Sequence, residues 1–208
     1  MRREGTVQRL DGASRAILAA ALVGGCGTGG ASASPIALEA GFPDAGTYTT
    51  TTFQPRLTMR LEDDRWQVLF PDDEDEFAIE DDSGTGEIFY GARVSQVADA
   101  DRGVGEAPDD LVSWLGSYPG LMAGPPVATT VDSQPATSID ITNETGRDKD
   151  LFAFPTGNFH IPPGVRLRFT IVPMDGPDLA IYTGGPTAGF DAAIARTQPM
   201  LDSLLIGD

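Results

Sequence analysis

Two strand-like stretches joined by a tight turn decide the fold of this chain: Val165-Arg-Leu-Arg-Phe-Thr-Ile-Val172 and Leu179-Ala-Ile-Tyr-Thr183. Both are rich in β-branched and aromatic residues, which favour strands. The connection contains Met174-Asp-Gly-Pro177, and an Asp-Gly pair between two apolar runs is typical of a β-hairpin. The sequence therefore predicts an antiparallel strand pair in the last third of the chain.

A helix is predicted directly after this hairpin. Thr187 is placed to cap it, and Pro199 is expected to kink or restart it, because proline removes a backbone hydrogen bond and clashes with the preceding turn. One side carries an apolar stripe at helical spacing, formed by Phe190, Ile194, Thr197, Leu201 and Leu204. The other side carries Asp191, Arg196 and Asp202, which we expect to be solvated.

The rest of the chain contains seven short strand patterns and one further helix pattern. The predicted strands cover residues 47–53, 57–61, 66–70, 77–79, 88–94, 127–131 and 137–142. Pro108 followed by two aspartates predicts a helix start, and a stripe of Leu111, Trp114, Leu115 and Tyr118 follows. The pattern predicts an α+β fold, with a mostly antiparallel β-sheet packed against a central short helix and a C-terminal helix.

Charge excludes several classes of function. The 208 residues include 31 acidic and 14 basic side chains, with a formal net charge of −17. Such a surface repels phosphate groups, so binding of nucleic acid is not expected. One Cys excludes an internal disulfide, and one His excludes a multi-histidine metal site.

The first residues are typical of a lipoprotein signal. Several arginines precede Ala16-Ile-Leu-Ala-Ala-Ala-Leu-Val23, an apolar run too short to span a bilayer. Leu22-Val-Gly-Gly-Cys26 resembles the lipobox of bacterial lipoproteins, in which the Cys is acylated and begins the mature chain. The resemblance implies a signal peptide over 1–25, lipidation of Cys26 and anchoring at the extracytoplasmic face of the cell membrane. The alternative is an unpaired thiol beside an ordinary cleavage site.

The chain after Cys26 divides into two parts. Residues 26–44 contain Gly27-Thr-Gly-Gly-Ala-Ser-Ala-Ser34 and are predicted to be a flexible tether, because Gly and Ser resist ordering. No repeat and no second linker follow, so residues 45–208 are predicted to form a single domain.

The acidic residues cluster between Glu62 and Asp82, where 11 of 21 positions are Asp or Glu. Clustered carboxylates can bind Ca²⁺, but this stretch lacks the glycine and final glutamate of an EF-hand loop. We therefore interpret it as a solvated acidic surface, and the sequence predicts no metal site and no cofactor. Asp99–Glu106 is a second, weaker candidate for cation binding.

Catalytic motifs are sparse. His160 lies before Pro162-Pro163-Gly164 and is expected at a strand end, without a G-x-S-x-G elbow to supply a nucleophile. Gly84-Thr-Gly86 and Gly103-Val-Gly105 lack the context of a dinucleotide loop. The sequence predicts no catalytic residue, and paired carboxylates of a hydrolase remain the alternative.

Three further stretches carry a resemblance to a known family: Pro119-Gly-Leu-Met-Ala-Gly-Pro-Pro-Val127, Gln134-Pro-Ala-Thr-Ser-Ile139 and Met200-Leu-Asp-Ser-Leu-Leu-Ile206. With the preceding helix, they resemble the PsbP-like α/β/α fold of lipoproteins of the LpqN type. Two segments depart from that pattern, the acidic insertion at 72–76 and an extra loop at 143–158. The resemblance implies a binding or accessory protein rather than an enzyme.

The predicted function is thus a membrane-anchored extracytoplasmic lipoprotein with a non-catalytic binding or accessory role in the cell envelope. Its expected partners are the membrane, through the lipid on Cys26, and an unknown envelope ligand or protein. An extracytoplasmic hydrolase and a structural envelope protein are the competing classes. The lining of the largest pocket should distinguish a binder from an enzyme.

Overall fold

A computed structural model describes residues 34–70, 73–99 and 103–207. Cys26 and the predicted signal peptide lie outside these residues. The described elements, in chain order, are β1 (Ile36–Ala37), β2 (Gly46–Thr49), β3 (Leu57–Leu61), β4 (Trp66–Phe70), β5 (Glu76–Asp81), β6 (Ile88–Val94), β7 (Gln96–Asp99), β8 (Gly103–Glu106), α1 (Leu111–Gly116), β9 (Met122–Ala123), β10 (Val127–Val131), β11 (Gln134–Thr142), β12 (Lys149–Phe154), β13 (Gly157–Ile161), β14 (Val165–Val172), β15 (Asp178–Pro186), α2 (Phe190–Asp202) and β16 (Leu205–Ile206).

The largest sheet, sheet I, has the strand order β10-β11-β14-β15-β6-β5-β4, with β9 beside β11. All of its neighbouring strands run antiparallel. The hairpin predicted from the Asp-Gly turn is its centre, with Phe169 opposite Tyr182 and Val172 opposite Leu179. The bounds of β3, β6 and β14 agree with the sequence prediction, because each has the alternation of a strand buried on at least one face.

One face of sheet I is covered by α2 and by sheet II, whose strand order is β1-β2-β3-β16. Side chains from sheet I, β3 and α2 share one buried apolar cluster, which includes Phe77, Phe89, Met59, Met200 and Leu204. The C-terminal helix is therefore part of the core.

The other face of sheet I is covered by α1 and by sheet III, whose strand order is β13-β12-β7-β8. A second apolar cluster fills this side, with Leu111 and Leu115 from α1, Phe152 from β12, and Phe169 and Tyr182 from sheet I. The helix begins after Asp110, whose carboxylate accepts a hydrogen bond from the backbone N–H of Ser113 at 2.9 Å. The described fold is three-layered, with one helix on each face of a mostly antiparallel sheet, and the predicted α+β class is confirmed.

The described fold begins earlier than the predicted boundary at residue 45. Ile36 and Ala37 pair in parallel with Tyr48 and Thr49 of β2, and Leu38 is only 2% exposed. The reason is that Ile36-Ala-Leu38 is an apolar segment that adds to sheet II, whereas the Gly and Ser residues before it have no apolar side chain to bury.

The sequence suggested that segment 143–158 is an extra loop, and this expectation was wrong. The segment contains β12 and the turn into β13, which form a hairpin in sheet III. Leu151, Phe152 and Ala153 are consecutive buried residues, because the register of this hairpin shifts between Asp150 and Phe152. A strand with such an irregularity lacks the simple alternation from which strands are recognised.

Both helices differ in detail from the predicted ones. Pro108 precedes α1 instead of lying in its first turn. A short 3-10 turn, Thr187–Gly189, precedes α2, and the Thr187 hydroxyl donates to the carbonyl of Gly164 rather than capping α2. The second helix continues through Pro199 without restarting.

Candidate ligand-binding pocket

A pocket of about 500 Å³ opens on the face of sheet I that carries sheet III. Its floor comes from β5, β6, β14 and β15, and the β12–β13 hairpin forms its wall. The lining residues are Glu76, Glu80, Gly86, Ile88, Tyr90, Thr156, Gly157, Asn158, Phe159, His160, Pro162, Val165, Leu167, Gly185 and Pro186.

The strand register of sheet I builds the floor. Leu167 lies opposite Gly184, Gly184 opposite Ile88, and Ile88 opposite Glu80, so that these four residues form one row across four strands. The parallel row beside it contains Phe169, Tyr182, Tyr90 and Ala78. Side chains in such rows point to the same face of a sheet, so the floor combines apolar, phenolic and carboxylate groups.

The backbone of Arg166 approaches position 184 so closely that this position requires glycine. A Cβ atom at this position would lie 2.3 Å from the carbonyl oxygen of Arg166, and the backbone φ is +150°. Only glycine is readily accommodated under both conditions.

Most of the lining is apolar. Ile88, Val165 and Leu167 contribute aliphatic side chains, while Pro162 and Pro186 lie at the rim. The ring centroid of Phe159 is 6.1 Å from that of Tyr90 and 4.3 Å from that of Tyr182. The rings of Phe152 and Phe169 continue this aromatic cluster into the core. Such a wall can bury the apolar body of a small molecule.

Two carboxylates face the same space. The phenol of Tyr90 donates to Oε1 of Glu80 at 2.6 Å, and the hydroxyl of Thr156 donates to Oε1 of Glu76. Burial raises the pKa of the Glu76 carboxyl; the Thr156 hydrogen bond opposes this shift, and the charges of Asp73 and Asp75 add to it. Burial, together with Glu80, also raises the pKa of the Tyr90 phenol.

Tyr182 lies behind these groups with a fully buried side chain. Its hydroxyl has no hydrogen-bond partner among the described residues. Burial raises the pKa of this phenol well above its ordinary value, and the charge of Glu76 adds to the effect. The hydroxyl therefore stays protonated beneath the pocket.

No Lys or Arg belongs to the described lining. Arg166 and Arg168 alternate with Val165 and Leu167 along β14, so they project from the other face. There they form ion pairs with Asp140 at 2.8 and 2.7 Å, and their guanidinium groups lie over the ring of Phe190. The register thus separates the positive charge of β14 from the carboxylates of β5.

His160 lies within β13, opposite Asp150, and is an exposed member of the lining. The sequence placed it at a strand end before a turn, and β13 does end one residue later, at Ile161. No Ser, Cys or Lys is part of the described lining. His160 therefore has no nucleophile of the serine or cysteine type to activate in the described pocket.

The acidic stretch 62–82 is distributed over several environments. Asp63 forms an ion pair with Arg65 at 2.8 Å, whereas Glu76 and Glu80 enter the pocket. No group of three or more His, Cys, Asp or Glu side chains is positioned to hold a metal ion in the ranges that the structure describes. The second acidic candidate, 99–106, is only partly within these ranges.

The aromatic residues singled out in the sequence belong to the interior. Trp66 and Tyr118 are buried, and Trp114 is half-buried against Tyr118, with ring centroids 5.1 Å apart. The Tyr118 hydroxyl donates to the carbonyl oxygens of Ala98 and Asp150, linking the segment just after α1 to sheet III. None of the three lines the pocket.

Sequence reasoning missed Glu76, Glu80, Tyr90 and Phe159 as site residues. The available signal was alternation along β5, where Glu76 and Glu80 share a face with Ala78 while Phe77 and Ile79 occupy the core face. Acidic residues on one face of a strand that is otherwise buried indicate that this face borders a cavity. The sequence pattern instead predicted a loop at 143–158, where the β12–β13 hairpin covers this face.

None of the helices in the described residues has the length and apolar composition needed to cross a membrane. No family model matches the chain, and none of the curated proteins matches it in sequence. Among solved structures, the chain is similar to the solution structure of cyanobacterial PsbP (CyanoP) from Synechocystis sp. PCC 6803. The TM-score is 0.45 at 11% identity, over 88% of this chain and 98% of that one.

Proposed function

We propose that this protein is a lipid-anchored lipoprotein of the cell envelope whose folded part binds a small, mainly apolar molecule without transforming it. The observation that carries the proposal is the pocket on sheet I, with its aliphatic and aromatic lining. The volume of about 500 Å³ lies in the range of small-molecule sites in proteins. The lipobox ending at Cys26 supports the location.

A hydrolase that uses acidic residues is the second candidate, because two carboxylates face the pocket. The geometry favours binding instead. Glu76 and Glu80 lie four residues apart on β5, with Cα atoms about 13 Å apart, so their carboxylates can contact different parts of one bound molecule. Each carboxylate also accepts a hydrogen bond from a neighbouring hydroxyl, from Thr156 or Tyr90.

Blocking the pocket tests the proposal. The full chain carrying Cys26→Ser is used so that neither acyl chain nor detergent competes for the neutral fluorescent probe Nile red. Val165→Trp places an indole in the lining and should weaken binding by roughly tenfold or more, a loss of about 1.4 kcal/mol. Val127→Trp is the matched control, because Val127 is exposed on β10, away from the pocket.

Equal binding of the probe by both variants would contradict the proposal, provided that both give the same cooperative thermal transition as the parent. Turnover of an ester or glycoside that is lost in both Glu76→Gln and Glu80→Gln would favour the hydrolase.

A further inference from the structure

We propose that the ligand of this pocket carries a cationic amine next to its apolar body. The inference rests on the binding function proposed above and specifies its ligand class. Its starting point is the charge of the lining, which includes two carboxylates and, within the described residues, no Lys or Arg. Carboxylates oppose the entry of a fatty acid or another anion, and a purely apolar ligand has no use for them.

The two carboxylates are not neutralised inside the protein. Neither Glu76 nor Glu80 forms an ion pair with any residue that the structure describes. One oxygen of each accepts a hydroxyl, from Thr156 and from Tyr90 respectively, and the second oxygen of each accepts no hydrogen bond within that part of the chain. Two acceptor oxygens are therefore available to a donor entering from the pocket.

Two other carboxylates with little solvent exposure show the contrast, whereas a third, Asp81, accepts a hydrogen bond from the backbone N–H of Ser83. Asp140 is paired with Arg166 and Arg168, and Glu87 is paired with Arg196. At both of these places an arginine of the protein itself compensates the negative charge. The two pocket carboxylates face an open space instead, in keeping with a partner that comes from outside.

Aromatic rings stand beside the carboxylates. The Tyr90 phenol that donates to Glu80 belongs to a ring that lines the pocket, and Phe159 is its neighbour at 6.1 Å. An ammonium group near Glu80 can thus also lie over an aromatic face, which adds a cation–π attraction. The aliphatic side chains of Ile88 and Leu167, from the same rows, would contact the apolar remainder of the ligand.

An organic cation suits this site better than a metal ion. Ca²⁺ takes six to eight oxygen ligands and Mg²⁺ retains several waters, whereas two carboxylates in an apolar lining supply few oxygens and little room for water. A monovalent ammonium needs only two or three acceptors.

Three probes that share one body test the inference by calorimetric titration: 4-phenylbutylamine, 4-phenylbutan-1-ol and 4-phenylbutanoate. The amine should bind at least roughly tenfold more tightly than the alcohol, as expected for one charge-assisted hydrogen bond, and the carboxylate should bind most weakly. Displacement of Nile red by the same compounds locates them in the pocket.

Glu76→Gln and Glu80→Gln should each reduce the affinity for the amine, and the double variant should reduce it to that of the alcohol. Affinity for the alcohol should stay unchanged in all three variants, which also shows that they fold. Glu62→Gln is the control for the loss of one negative charge, because Glu62 is exposed and lies near α2.

Equal affinities for the amine and the alcohol would overturn the inference while leaving the proposed pocket function in place. The inference would fail in the same way if Glu62→Gln weakened amine binding as much as the pocket variants do. Failure of all three compounds and of Nile red to bind would overturn the proposed function as well.

Discussion

Glu76 is the carboxylate of the proposed site whose surroundings are best defined. Its carboxylate is half-buried, accepts a hydroxyl from Thr156 in the opposite layer, and stands near the negative charges of Asp73 and Asp75. Each of these surroundings except the hydrogen bond disfavours its charged form. A cation bound in the proposed site would offset this repulsion.

The raised pKa of Glu76 predicts a pH-dependent effect of Glu76→Gln. The folded chain holds this proton more tightly than the unfolded chain, so the stability that protonation contributes is complete below the ordinary Glu pKa of about 4.5. That contribution is lost as the pH rises through the raised value in the folded state. At pH 7, Glu76→Gln should therefore melt at a higher temperature than the parent, and the difference should shrink towards pH 4.

Thermal unfolding followed by circular dichroism at pH 4, 5.5 and 7 checks this expectation. Thr156 can still donate to the amide oxygen of the glutamine, so the hydrogen bond is preserved. Glu74→Gln reports the effect of removing one exposed charge nearby. A difference that stays constant over this pH range would refute the assignment.

Among the elements, the C-terminal helix α2 makes two kinds of contact: apolar packing against the core and an ion pair on its polar side. Its apolar side enters the core through buried residues, among them Phe190, Thr197 and Met200, and Leu201 packs against the same cluster while half-buried. Its polar side is exposed at Asp191, Arg196 and Asp202, as expected, and Arg196 also forms an ion pair with Glu87, which is only 3% exposed. The sequence did not predict this ion pair, because Glu87 lies directly before β6, far from Arg196 in the chain.

Truncation of Arg196 should consequently cost more than an ordinary surface substitution. Arg196→Ala leaves the buried Glu87 carboxylate without its partner, and a buried polar group that loses its partner costs about 1 to 3 kcal/mol. Adding Glu87→Gln removes the unpaired charge and should recover much of that loss. Urea denaturation of the two single variants and the double variant measures this coupling.

The exposed Arg60→Ala is a suitable control, because it removes an arginine from β3 without breaking any ion pair of the described residues. If Arg196→Ala destabilised the fold no more than Arg60→Ala, the ion pair to Glu87 would contribute nothing. A double variant less stable than Arg196→Ala would show that Glu87 has another role.

At the scale of the whole molecule, three layers divide the apolar material into two clusters separated by sheet I. The layer with sheet III leaves the candidate pocket between its hairpin and the end of sheet I. The net charge of −17 surrounds this pocket with a negative field. Such a field attracts cations in general, and this attraction weakens with salt.

The predicted lipid on Cys26 concerns the whole molecule, because a lipid anchor would place the protein at the membrane. The natural protein should partition into the detergent phase of a Triton X-114 separation, because buried acyl CH₂ groups contribute about 0.8 kcal/mol each to membrane binding. Cys26→Ser should move the protein to the aqueous phase. Identical partitioning of the two forms would exclude a lipid anchor on Cys26.

Local patterns predicted most of the elements correctly. Alternation located the strand Leu57–Leu61, strand-favouring composition located Val165–Val172, and the apolar stripe after Pro186 located α2. These features are readable because the period of apolar residues depends on the local geometry of a strand or helix. The β12–β13 hairpin was not predicted, because a register shift between Asp150 and Phe152 disrupts its alternation of apolar and polar residues.

The pocket could not be predicted in the same way. Glu80, Ile88 and Leu167 are neighbours only because the register of four strands places them in one row, and Phe159 joins them from another sheet. The sequence by itself determined the α+β class and the acidity of the chain, and the lipid anchor on Cys26 stays a prediction. Tertiary structure alone decided which two of the many acids face an apolar cavity without a counter-charge, because sheet register and layer packing depend on contacts between residues far apart in the chain.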